Sequence, residues 1–336
     1  MSERVIRIPH RLDRISSLLD LNIPNTDLSQ FDSCRIDFTA CGFGEPLPML
    51  LLGRDLRALM RNNIGKRFSC TTVAGQFRGY ADHVGFFRYC GFLRGNEIGE
   101  ARGSSNYVPI QLIDLNEMKI ASGERPYVEI VEEKSDELAR VLLGSGQHGA
   151  FNSVRYSIRE ILRNSVEHSQ GGVVIFFGQY WPNRSQAEIV IFDTGVGVVQ
   201  TLLESGVVDG ANQHQALRKA LEPGITGVSA AERAAQEPNT RNSGFGLYVT
   251  SRYCSEFGTF RILSHGAALT VNNQEISNQN WRFSGTCVQM KIRTDLDNSG
   301  GQRILDIIGE GEQALEDSND VAGASNASRS LSLRRD

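Results

Sequence analysis

The stretch SIREILRNSVEHSQGG, Ser157–Gly172, carries two patterns at once. Apolar residues recur at helical spacing, and Glu160, Asn164 and His168 recur every fourth residue beside them. At about 100° per residue, Val154, Ile158, Ile161, Leu162, Ser165 and Val166 share an arc of roughly 140°, wide enough to bury against a sheet. Glu160, Asn164 and His168 advance by only about 40° a step, so they line one flank of that arc. A solvated face is one reading of such a row. The other is an edge that meets a ligand. Asparagine is a poor interior helix residue because its amide competes for backbone hydrogen bonds. A carboxylate and an amide one turn apart can orient a water and hold a magnesium ion, which keeps several waters and needs few protein oxygens.

Two glycine-bearing segments follow downstream. In IVIFDTGVG, Asp193 ends an apolar strand and precedes Gly195 and Gly197. A carboxylate there can accept a hydrogen bond from an exocyclic amine, and the glycines let the backbone approach a flat ring; an ordinary strand-to-turn exit has the same pattern. In RNSGFGLYVTSRYCSEFG, Gly244 and Gly246 precede a helical run. A glycine-rich loop opening a helix directs free amides and the helix dipole at an anion. The segment before it, EPGITGVSAAERAAQEPNTRNSG, is polar and rich in breakers, and reads as a mobile lid.

Taken in this order, the segments resemble the nucleotide site of the GHKL superfamily, the Bergerat-fold ATPases that include gyrase, heat-shock chaperones, histidine kinases and mismatch-repair proteins. EILRNSVEH is similar to that family's N box, DTGVG to its adenine-binding box and SGFGL to its phosphate box. GITG resembles the lid motif and GTCVQMKI the final Gly-Thr strand. The resemblance covers roughly residues 125–294 and implies binding of ATP with Mg2+ in a two-layer α/β sandwich. It places Asn164 on magnesium and Asp193 on the adenine amine. Gly195 and Gly197 shape the base pocket, and Thr286 sits beside it. Thr226 and Gly227 belong to the lid, and Ser243, Gly244, Phe245, Gly246 and Leu247 to the phosphate loop. Glu160 stands where hydrolytic members and anti-sigma serine kinases carry a general base. His168 matches a position near the nucleotide in some members; a structural histidine is the other reading.

The remainder of the chain narrows the class. Its 336 residues allow about two domains, and 40% hydrophobic with 22% charged residues fits a globular protein. A net charge of −4 gives no bulk attraction to nucleic acid or anionic membrane. The six cysteines, at 34, 41, 70, 90, 254 and 287, show neither CxxC spacing nor a disulfide density. MSERVIRIPHRLDRISS lacks a signal-peptide core, and LPMLLLG is too short to cross a bilayer. A reducing cytoplasm is the expectation.

Residues 1–118 are expected to form a small α/β domain. CRIDFTAC reads as a strand, LPMLLLGRDLRALMRNN as an amphipathic helix stopped at NNIG, and RFSCTTVAG as a second strand; DHVGFFRYCGF packs aromatics around glycines. This unit resembles STAS domains over about 31–93; an unrelated α/β domain is the alternative. The helix start, GEPLP, lacks the hydroxyl that such antagonists present to a kinase. The unit therefore reads as an interaction or homodimerisation module. Residues 119–296 are expected to form the ATP-binding domain. YVEIVEEKSDELARVLLG is a helix capped by Gly144, GGVVIFFGQYW and QAEIVIFDTGVG a hairpin joined by PNRS, and TFRILSHG, AALTVNN and GTCVQMKIRT strands. Residues 297–336 read as a polar, largely disordered tail in which RILDIIGEGEQAL alone is helix-like.

His10, His83 and His148 do not read as part of a dimerisation helix of the sensor-kinase kind, and the polar residues after 294 are not expected to form a transducer domain. Two functions remain. One is an ATPase whose lid drives a conformational or assembly switch that regulates a partner. The other is an anti-sigma-like regulator that binds a partner or phosphorylates its serine or threonine.

Overall fold

The computed structural model describes residues 2–115, 127–143, 148–168, 172–208, 212–227, 243–273, 275–295, 300–317 and 329, without the side chains at 127, 148–149, 167–168 and 300–301. The protein is an α/β chain with parallel and antiparallel sheets. It divides into two compact units, Met1–Leu112 with Phe176–Gln179, and Ile113–Ile175 with Tyr180–Asp336. The expected boundary near residue 118 lies outside the described residues.

The first unit begins with β1 (Glu3–Arg7), β2 (Arg11–Leu12) and α1 (Ser16–Leu21), then β3 (Ser33–Asp37) and β4 (Phe43–Gly44). Helix α2 (Pro46–Asn62), β5 (Arg67–Thr71), α3 (Gln76–His83) and α4 (Phe86–Cys90) complete it, followed by β6 (Tyr107–Asp114). Strands β1, β3 and β5 pair in parallel in that order, and β2 pairs with β4. Helix α2 starts where Pro46 supplies a preset φ at a position needing no amide donor. The aromatic run is helical: Phe38 meets Phe87 edge-on at 5.3 Å, with Phe77 and Phe86 against the same ring. Strand β1 was not expected.

Along the chain then come α5 (Tyr127–Leu143), α6 (His148–His168), β7 (Val173–Trp181) and β8 (Gln186–Asp193), all of the second unit except Phe176–Gln179 of β7. After these come α7 (Val198–Glu204), α8 (Gln213–Ala220), α9 (Gly246–Glu256), β9 (Gly258–Asn272), β10 (Glu275–Arg293) and α10 (Gly300–Asp317). The sheet order is β6-β7-β8-β10-β9. Strands β7 and β8 form the expected hairpin: 182–185 connects them, and Thr194 N donates to Val173 O at the far end. Strand β10 runs antiparallel to β8 and β9, with its register broken between Trp281 and Thr286.

Helix α6 buries its apolar arc as read, and Arg155, Arg159, Glu160 and Arg163 are buried too. Helices α5, α9 and α10 all pack on α6 and close the sides that the sheet leaves open. In the segment after 296, α10 covers the helix-like stretch 303–315 and folds onto α6 and α9 through buried Ile304, Ile307 and Ile308; 297–299, 318–328 and 330–336 lie outside the described residues. These isoleucines sit at i, i+3 and i+4, a single stripe that needs a partner surface. The expected cap Gly144 lies outside the described residues.

Candidate functional site

Strand alternation creates one wall of the site. Ile191 and Asp193 are two apart on β8 and so share a face. Their cross-strand partners on β10 are Val288 and Thr286, and all four line one cavity of about 750 Å3, counted to its open mouth. Asp193 is 5% exposed. Its Oδ1 accepts from Gly195 N at 2.9 Å and from Thr286 N at 3.4 Å. Among the described residues no donor meets Oδ2. Burial pushes the carboxyl up from an ordinary 3.8 to about 6, against the opposing pull of the Gly195 and Thr286 amides.

The turn after Asp193 depends on glycine. Gly197 has φ +85°, and a Cβ there would lie 2.5 Å from Gly285 O and 2.6 Å from Ser264 Oγ. The chain therefore crosses β10 at backbone distance and enters α7 with Val198 N donating to Thr286 Oγ1 at 2.9 Å. Thr286 thus ties the exit of β8 to β10 and also faces the cavity.

Helix α6 gives the cavity Ile161, Asn164 and Ser165, the i, i+3, i+4 set of one flank. Asn164 is partly exposed, and its carboxamide has no hydrogen-bond partner among the described residues. Glu160, one turn earlier and 4% exposed, is not part of the lining. Its Oε1 accepts from Arg159 Nε at 3.1 Å and Nη2 at 2.8 Å. Its Oε2 lies where a Cβ on Gly246 would come within 2.6 Å, so the carboxylate stands directly behind the glycine loop. Arg159 is 1% exposed and also donates to Glu132 Oε1 on α5 at 3.4 Å. Glu132 Oε2 and Asp136 Oδ1 accept from Arg155 at 3.3 and 3.2 Å. Two arginines are thereby kept dry by three carboxylates, since an unpaired buried charge is costly.

The opposite rim is the start of α9. Gly244, Gly246 and Leu247 line the cavity, facing Thr226 and Gly227 of the segment after α8. No side chain caps α9, so its first-turn amides remain available for an anion. Phe245 and Ser243 are buried, and Phe245 stands edge-on to Tyr248 at 6.1 Å.

Nine of the sequence-derived residues therefore line one cavity: Asn164, Asp193, Gly197, Thr226, Gly227, Gly244, Gly246, Leu247 and Thr286. Gly195 supports Asp193 from outside it, and Glu160, Ser243 and Phe245 stand behind the lining. The side chain of His168 and lid residues 228–242 lie outside the described residues. Sequence reasoning missed Thr201 and Leu202 of α7 and Ala220 of α8, which form an apolar wall. They fall within 198–241, which reads in the sequence as a polar, helix-prone segment with no residue marked out for the site. Among the described residues no three His, Cys, Asp or Glu side chains cluster as a metal site. A cation here would depend on the Asn164 oxygen and on ligand oxygens, a donor set that suits magnesium. No helix among the described residues is long and apolar enough to cross a membrane. No protein-family model matches the chain, and no curated protein matches it.

Proposed function

We propose that the second unit binds ATP with magnesium in this cavity and hydrolyses it to switch the protein's hold on a partner. One observation carries the proposal: residues from α6, β8, β10, the segment after α8 and the start of α9, far apart in sequence, line a single cavity. Buried Asp193 offers an unpartnered carboxylate oxygen to an exocyclic amine. The uncapped α9 start offers amides to phosphates. The resemblance to GHKL ATPases, and to the Bergerat sandwich they share, points the same way.

Asn164 is the residue that would hold magnesium, which when bound neutralises phosphate charge. Glu160 keeps one oxygen, Oε2, for proton transfer, because Arg159 occupies Oε1. As general base it would take a proton from the attacking water. In the anti-sigma-like alternative the same oxygen takes the proton of a partner's serine or threonine. The first unit, with the STAS-like order of strand and helix, is the part we assign to a protein partner or a second copy.

Calorimetric titration of the full chain with ATP and magnesium tests the binding step, and phosphate release tests turnover. Absence of magnesium-dependent ATP uptake sinks the proposal. Radiolabel on a partner protein, with no free phosphate, replaces hydrolysis by phosphotransfer.

A further inference from the structure

Helix α10 contributes no residue to the cavity lining, yet it touches both glycine segments of the rim. Gly311, buried at the middle of α10, has Tyr248, Phe245 and Pro223 as neighbours. A Cβ on Gly311 would lie 2.6 Å from a Tyr248 ring carbon, 2.9 Å from Phe245 and 3.2 Å from Pro223. The Phe245 and Tyr248 rings are buried, so they have little room to retreat, and Pro223 is half-buried. Phe245 stands between Gly244 and Gly246, and Pro223 precedes the segment carrying Ile225, Thr226 and Gly227; all five of these neighbours line the cavity. At the other end of α9, Arg303 Nε donates to Glu256 Oε2 at 2.8 Å. Helix α10 therefore braces α9 at both ends.

We infer that α10 is a positioning element of the nucleotide site, with the bare face at Gly311 setting how closely the α9 glycine loop and the 224–227 segment approach each other. This rests on the nucleotide reading above. Coupling of this kind is reciprocal. If α10 docking sets the rim, a nucleotide that needs the rim must also hold α10 in place.

A matched pair of substitutions in the full chain tests it. Gly309 and Gly311 share one helix, but a Cβ on Gly309 meets nothing within 4 Å. Leucine raises helix propensity equally at both positions, so only the contact differs. Gly309→Leu should bind ATP with magnesium within about twofold of wild type, a surface change without a contact. Gly311→Leu should weaken binding about tenfold or more, with Gly311→Ala between them, as overpacking of a filled contact demands. In the wild-type chain, ATP should slow amide hydrogen exchange across 304–315.

Equal affinity for Gly309→Leu and Gly311→Leu, or exchange in 304–315 that ignores bound ATP, overturns the inference and leaves the nucleotide site standing. If Gly311→Leu fails to fold, the wild-type exchange measurement alone decides. A wild-type chain that takes up no ATP removes the nucleotide reading itself, a different result.

Discussion

Replacing Asp193 by asparagine separates two quantities that ordinary damage to a protein lowers together. The carboxyl is buried and pushed up from 3.8 to about 6. A carboxyl whose folded pKa lies above its unfolded value binds its proton more tightly when folded. Its ionisation therefore costs stability as pH rises from about 4 to about 6, and the whole cost is present above that window. At about 1.4 kcal/mol per pH unit, the cost at neutral pH is about 3 kcal/mol. Asparagine keeps the shape and lets its carbonyl oxygen accept from Gly195 N and Thr286 N, but carries no charge. Its amide must still be desolvated, at about 1–2 kcal/mol, so the expected net gain is about 1–2 kcal/mol. For a unit of this size the gain raises Tm by about 3–6 °C.

Binding should move the other way. The asparagine NH2 would face an adenine amine donor to donor, losing a hydrogen bond to a charged acceptor worth about 1.5–3 kcal/mol. The Kd for ATP should rise about 10- to 150-fold. Thermal unfolding between pH 4 and 8, with calorimetric titration at pH 7.5, reads both. The amide cost does not change with pH, so the variant should melt below wild type at pH 4, cross it as the pH rises, and show the full gain only above about pH 7. A variant destabilised by the same amount at every pH would show that Asp193 carries no burial strain. Unchanged ATP affinity would remove Asp193 from the base pocket.

Three further outcomes follow from the same geometry. Glu160→Gln should leave ATP affinity within about threefold while phosphate release falls about 10²- to 10⁴-fold; persistent turnover would show that Glu160 is not the base. Arg159→Met strands the buried carboxylate Glu160 and takes one of two arginines from Glu132, and should cost about 3–5 kcal/mol in urea unfolding. Adding Glu160→Gln should recover part of that loss, and a double variant no more stable than the single would break the pairing. Gly246→Ala puts a methyl 2.6 Å from Glu160 Oε2 and should depress turnover more than affinity in steady-state assays, whereas equal losses would place the damage in the loop as a whole.

What could be read in the sequence, and what could not, follows from how local each cause is. The glycine segments at 195–197 and 244–246 were legible because a backbone crossing at close range leaves no room for a side chain, and that requirement is written in single residues. Asn164 was legible because a flank shared with Ile161 and Ser165 is set by helical periodicity alone. The same periodicity says nothing of the burial of Arg155, Arg159 and Arg163. Arg155 and Arg159 are dry because Glu132 and Asp136 on another helix neutralise them, and no local pattern records a partner some twenty residues away. Strand β10 shows the same limit from the other side. Its polar start, Glu275–Asn280, carries no apolar alternation, yet it is a strand because Ala267–Asn272 on β9 supplies the ladder, and β9 itself bends at left-handed His265 and Gly266. Helix α10 falls between the two cases. Its isoleucine stripe is plain in the chain, but the surface that receives it is assembled from α6 and α9, so the stripe could predict a helix and not its place. A proposed base behind a glycine, held by a buried arginine, is thus the kind of feature that only a fold can expose, and it is also where a substitution should most sharply divide turnover from binding.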